Sequence, residues 1–133
     1  MTFIDQSNTD KGTGDCTRAV VASILSLDSI EQVPHFILYK EGMWFVVYKG
    51  FMRIFGFELE GTSNNPEDLK KENSINGYFI ASVVSKTHGW PTSHSVVIDM
   101  KGRVVHDPNP NKLWQDEVID FSDSRNTFDI FNF

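Results

Sequence analysis

The chain has 133 residues and a formal net charge of −6, and hydrophobic residues make up 40% of it. This length favours one domain that folds without disulfides. The acidic balance argues against a general nucleic-acid binder, which would present a basic face. No stretch approaches the ~20 apolar residues of a membrane span, and no signal peptide is visible at the N-terminus. A single cysteine, Cys16, fits a reducing compartment. We therefore expect one soluble, cytoplasmic domain over residues 1–133.

The first half of the chain is predicted to be mainly helical. A short strand at 3–4 and a polar loop over 7–14 lead to Asp15, a residue type that favours helix N-caps. Four side chains then recur at helical spacing: Cys16, Val20, Ile24 and Leu27. This pattern predicts a helix from Cys16 to about Leu27, with Cys16 in its first turn and on its inward face. The free N–H groups and the dipole at such a helix start stabilise a thiolate.

The next segment continues the helical pattern with interruptions. Asp28-Ser29 indicates a second cap and a short turn, which Pro34 ends. Residues 37–55 have a mostly helical pattern that we expect to break at Gly42 or Gly50. A further helical turn is expected over 66–69.

The second half is predicted to be an antiparallel sheet. The expected strands cover residues 57–60, 78–85, 94–99, 103–106, 114–121 and 127–133. Helices followed by antiparallel strands indicate an α+β fold.

Cysteine hydrolases need a thiolate, a histidine that exchanges protons with it, a group that orients the histidine, and donors for the oxyanion. The chain offers one candidate for each role. Cys16 opens the first helix, His94 opens a strand, and Asp107 follows the next strand. Gln6 precedes the cysteine and offers a side-chain amide, alongside the Cys16 backbone N–H. No pair of side chains has the local spacing of a zinc site, so no metal is expected.

The turn between the strand of His94 and the strand before Asp107 leaves open which residue orients the histidine. A plain two-residue turn at Lys101-Gly102 puts His94 and Asp107 on one face of the hairpin. A type I turn over 99–102 with a glycine bulge slips the register by one, so that His106 faces the side of His94 instead. Pro108 offers a bend that would restore Asp107.

The order of these motifs resembles the papain-like cysteine peptidase superfamily. The resemblance rests on the glutamine before Asp15-Cys16 at a helix start, His-Ser-Val-Val at 94–97, and His-Asp-Pro at 106–108. It is closest to the bacteriocin-leader peptidase and NlpC/P60-like branches, and it extends to short proteins of phages and bacteria. The resemblance implies N-terminal helices, with the nucleophile at a helix start, packed on a C-terminal antiparallel sheet. It also implies Cys16 as nucleophile, His94 as general base and acid, Asp107 as the orienting residue and Gln6 as oxyanion donor.

These assignments predict a cysteine hydrolase that cleaves an amide, peptide or isopeptide bond in a peptide or protein through a thioester, without a cofactor. The same triad also supports acyl transfer to an amine. The alternative is an inactive binding module on the same scaffold, such as a phage protein that occupies a host partner in the host cytoplasm, because a fold does not fix a function.

Overall fold

The computed structural model describes residues 1–11, 14–39 and 42–133, apart from the side chain of residue 37. It has the expected α+β fold, with two N-terminal helices packed on a five-stranded antiparallel sheet. The helices and strands are α1 (Cys16–Ile24), α2 (Met43–Ile54), β1 (Glu58–Ser63), β2 (Phe79–Val84), β3 (Ser93–Ile98), β4 (Val104–His106) and β5 (Thr127–Asn132). Short 3-10 helices cover Ile30–Gln32, Phe36–Leu38, Pro66–Asp68 and Lys71–Asn73.

The sheet has the strand order β1-β5-β2-β3-β4, so β2 and β3 lie inside it and β4 lies at one edge. Buried side chains cover both of its faces. On one face, α1 and α2 pack against Leu59, Ile80, Val97 and Phe131. On the other face, the segment around Ile119 and Phe121 covers residues such as Phe79, Val96, Ile98 and Phe128. Alternate residues of β3 therefore face two different cores, which makes its register decisive for the site.

Both helices form where apolar spacing predicts them, with shifted ends. Helix α1 begins at Cys16 as expected but ends at Ile24, because the chain turns at Ser26, which has a positive φ of 55°. Helix α2 begins directly after Gly42, whose φ of 82° favours glycine, whereas Gly50 stays inside the helix. Residues 40 and 41 of this predicted segment, and 12 and 13 of the predicted polar loop, lie outside the described residues. No helix in the described part of the chain is long and apolar enough to cross a membrane.

Two predicted strands are wrong. Residues 3–4 form no strand, because the Ile4 N–H donates to the side chain of Ser23 on α1 rather than to another strand. Residues 114–121 contain turns and a single isolated bridge from Arg103 to Val118. Positive φ values at Lys112 and Asp116 bend this segment around the end of β4.

Candidate active site

The start of α1 holds Cys16 next to the sheet. Asp15 occupies the N-cap position, but its side chain does not cap the helix. Its buried carboxylate instead accepts hydrogen bonds from the backbone N–H groups of Ser7 and Asn8, at 3.0 and 2.9 Å, and from the Ser7 hydroxyl. The N-cap residue therefore ties the preceding loop to the helix start. Because Cys16 is the first helical residue, its N–H has no acceptor within the helix.

His94 lies between Cys16 and Asp107. Its Nε2 is 2.7 Å from Asp107 Oδ1, and only 11% of its side chain is exposed. The same imidazole also lies beside the Cys16 thiol, close enough for each group to shift the pKa of the other. With Nε2 engaged by Asp107, Nδ1 is the nitrogen that serves the thiol. Thiol, imidazole and carboxylate thus lie in one row, with the imidazole in the middle.

The hairpin between β3 and β4 contains two irregularities, and together they place Asp107. Gly102 N–H donates to the Asp99 carbonyl, and Gly102 has a φ of 80°, so the type I turn with a glycine bulge is present. With that turn alone, the side chains of His106 and His94 would lie on the same face of the hairpin. A second bulge follows, since Ile98 pairs with Val104 whereas Val97 pairs with His106. The extra residue at 105 restores the register that turns Asp107 toward His94.

His106 points to the opposite face of the sheet. Its Nε2 lies 2.7 Å from the Ile4 carbonyl, and its ring packs 5.4 Å from the ring of Phe3. Burial lowers the pKa of His106 even though the bond to Ile4 opposes this, so the ring is neutral at pH 7. Asp107, and not His106, is therefore the neighbour of His94, and the bulge at 105 rather than a bend at Pro108 brings it there.

The three groups favour an ion pair. Burial by itself would raise the pKa of Cys16, but the hydrogen bond and charge of His94, together with hydrogen bonds from Ser95, lower it below its ordinary value. Burial would likewise lower the pKa of His94, but Asp107 and Cys16 raise it to about 9. The pKa of Asp107 is lowered, because the bonds from His94 and the Trp114 N–H outweigh its burial. These shifts favour a thiolate beside an imidazolium over the neutral pair.

Gln6 lies in the same cleft as Cys16, although ten positions separate them in the sequence. The Asn8 carbonyl accepts both the Asp15 N–H, at 3.1 Å, and the Gln6 side-chain Nε2, at 2.8 Å. The loop therefore closes on itself and returns the chain to Gln6. The amide is buried, and its Oε1 has no hydrogen-bond partner among the described residues. Nε2 retains a second N–H besides the one given to Asn8.

Two clefts of about 260 Å³ each meet at Cys16. The first is lined by polar side chains that include Gln6, Lys86 and His88, and by the apolar Leu113 and Trp114. The second is bounded by a different set, which includes Arg18, His35, Phe36, Trp44 and Ser95. Cys16 therefore borders both clefts.

Several residues at the site were missed from the sequence. Ser95 bonds the Cys16 thiol and also Thr17 Oγ1, which is 2.8 Å from its Oγ. Trp114 donates its backbone N–H to Asp107 Oδ2 at 2.9 Å, and Gln115 accepts from the Asp107 N–H. Ser95 could have been found from the sequence, because it directly follows the candidate His94 on a predicted strand. Trp114 and Gln115 could not have been found, because the sequence analysis placed both in a predicted strand at 114–121.

The described residues include no group of three or more histidine, cysteine or acidic side chains arranged to hold a metal ion. Comparison with known proteins adds no family assignment, because no family model, curated protein or solved structure matches the chain.

Proposed function

We propose that this protein is a cysteine hydrolase that cleaves an amide, peptide or isopeptide bond. The observation that carries the proposal is the placement of His94 between Cys16 and Asp107, with its Nε2 2.7 Å from Asp107 Oδ1 and its imidazole close enough to the thiol to lower the pKa of Cys16. The lowered pKa of Cys16 supplies a nucleophile, and the neighbouring imidazolium supplies a proton where a leaving amine needs one.

In the first half of the reaction the Cys16 thiolate attacks the carbonyl carbon of the substrate. The carbonyl oxygen gains the negative charge, and the Cys16 N–H and Gln6 Nε2 donate hydrogen bonds to it. The tetrahedral intermediate collapses, the carbon–nitrogen bond breaks, and His94 protonates the departing amine. A thioester on Cys16 and a neutral imidazole remain.

In the second half a water molecule enters the place of the amine. His94 accepts a proton from that water, whose oxygen attacks the thioester carbon. The carbon–sulfur bond then breaks, and the thiolate and imidazolium return. Asp107 stays ionised throughout and holds the imidazole in the orientation that both steps require.

The two clefts support a substrate that extends on both sides of the reacting carbonyl, as a peptide does. A primary amine that enters the first cleft in place of water would convert hydrolysis into acyl transfer.

Incubation with a diverse peptide pool, followed by mass spectrometry, tests the proposal. We expect new peptide termini and an acyl adduct on Cys16 in the unmodified protein, and neither product in Cys16→Ala. His106→Gln is the matched histidine control and should retain most of the activity, because His106 faces away from the thiol. Cleavage that continues in Cys16→Ala would contradict the proposal. Added amines separate transfer from hydrolysis by the mass of the product.

A second candidate, an inactive binding module, is favoured by one observation. Helix α2 buries only Tyr48 and Met52 and exposes many apolar side chains. Those on the helix and next to it are Leu38, Tyr39, Met43, Trp44, Phe45, Val46, Ile54 and Phe55. On this alternative the same pool would give non-covalent retention of peptides, equal in the unmodified protein and in Cys16→Ser, without an acyl adduct.

A further inference from the structure

We propose that Gln115 is a positioning residue whose side-chain amide fixes the bulge at Val105 and thereby holds Asp107 against His94. The roles of His94 and Asp107 in this inference rest on the proposed function, whereas the contacts of Gln115 do not depend on it.

The Gln115 amide bridges the backbone on both sides of His106. Its Nε2 donates to the Val105 carbonyl at 2.9 Å, and its Oε1 accepts from the Asp107 N–H at 2.9 Å. Between them these bonds span the residues at which the pairing of β4 with β3 shifts. The side chain thus acts as the peptide group of a neighbouring strand would.

Such a substitute is needed because β4 is the last strand of the sheet. Backbone groups on its outer side require partners from elsewhere. The following segment supplies them at Val104, whose N–H donates to Glu117 and whose carbonyl accepts from Asp116. One step further along β4, backbone pairing ends and the side chain of Gln115 takes over.

Only an amide side chain offers a donor and an acceptor in the required arrangement. Without it, the Val105 carbonyl and the buried Asp107 N–H would lose their partners. A hairpin that relaxed to regular pairing past Val104 would turn His106 toward His94 and carry Asp107 away. The bond from Trp114 N–H to Asp107 depends on the same segment, so both contacts would weaken together.

The test measures the pKa of His94 by NMR titration of its imidazole in three variants, Gln115→Met, Asp107→Asn and Asn126→Leu. In Gln115→Met both hydrogen bonds are lost while the side-chain length is kept. We expect the pKa of His94 to fall by about one unit or more, in the direction that Asp107→Asn shifts it. Asn126→Leu is the matched control, because the Asn126 amide also bridges two backbone groups, the Val84 N–H and the Asp120 carbonyl. It should lower stability and leave the pKa of His94 unchanged.

An unchanged pKa of His94 in folded Gln115→Met would overturn the inference, as would an equal fall in Asn126→Leu. This readout needs no substrate, so it distinguishes failure of the positioning role from failure of the hydrolase proposal. If Gln115→Met does not fold, solvent exchange in the unmodified protein decides the matter. Slow exchange of the Gln115 Nε2 hydrogens and the Asp107 N–H supports the bridge, and exchange of both at the rate of free amides refutes it.

Discussion

At the scale of single residues, the proposed function assigns the thiol and the oxyanion to different side chains. His94 and Ser95 touch the Cys16 thiol and lower its pKa. Gln6 has its amide on the Asn8 carbonyl and borders the first cleft. The two roles therefore respond to different substitutions.

Gln6→Ala should lower peptide turnover without changing the reactivity of the thiol. Loss of one oxyanion donor costs about 10²–10³ in kcat. Alkylation of Cys16 by iodoacetamide develops no oxyanion, so its rate should stay within about twofold of the unmodified protein. Steady-state kinetics and alkylation rates on the same preparation measure both. A parallel fall of the two rates would assign Gln6 to thiol activation instead, and unchanged turnover would remove it from the reaction.

Residue types alone identified Cys16, His94 and Gln6 as candidates, but they could not choose between His106 and Asp107. The choice depends on a bulge at Val105, and the bulge is bonded by Gln115, ten residues further along the chain. The glycine bulge at 99–102, one of the two turns that the sequence allowed, is present, yet that bulge alone would place His106 rather than Asp107 on the side of His94. The register is set by a contact that no local pattern contains.

At the scale of elements, periodicity predicted the helices and strands that have a regular buried face. Helix α1 and strands β2 and β3 form close to where their patterns place them. The failures are segments whose backbone bonds go to side chains or to turns. Ile4 bonds Ser23 on α1, and the turn at Asp116 interrupts what a β-rich composition predicted as a strand.

Helix α2 offers a test of the packing from two residues of similar size. Met52 is fully buried between α2 and the sheet, whereas Ile54, two positions later, is 78% exposed. Met52→Ala should lower the free energy of unfolding by about 2–5 kcal/mol, because it leaves a cavity. Ile54→Ala should change it by about 0.5 kcal/mol or less. Urea unfolding of both variants measures the difference, and equal losses would mean that α2 does not pack on the sheet through Met52.

At the scale of the whole molecule, a buried carboxyl links α2 to the sheet and makes stability depend on pH. Asp129 on β5 accepts a 2.7 Å hydrogen bond from the Tyr48 hydroxyl. Burial raises the pKa of Asp129 from 3.8 to about 6, although the bond from Tyr48 opposes the shift. The folded state therefore binds this proton more tightly than the unfolded state. Its contribution to stability is complete below about pH 4 and is lost as pH rises through about 6.

Asp129→Asn should remove that loss. Between pH 4 and pH 7 the unmodified protein should lose about 2–3 kcal/mol more of its unfolding free energy than the variant does. Urea unfolding at several pH values measures both slopes. Asp123→Asn is the control, because Arg125 lowers the pKa of Asp123 to about 2, which lies outside this window. Identical slopes in Asp129→Asn and in the unmodified protein would show that this carboxyl is not buried in the folded state.

The central claim is that His94 holds Cys16 as a thiolate, and the pH dependence of alkylation tests it most directly. Cys16 is the only cysteine, so iodoacetamide reports on this thiol alone. In the unmodified protein, rapid alkylation should begin at a lower pH than it does for an ordinary thiol, and it should persist as pH rises toward the His94 pKa of about 9. In His94→Ala, burial is no longer offset by the imidazolium, so the apparent pKa of Cys16 should rise by at least about one unit and the rate at pH 6 should fall about tenfold or more. Profiles that coincide in the two proteins, each with the midpoint of an ordinary thiol, would contradict the claim.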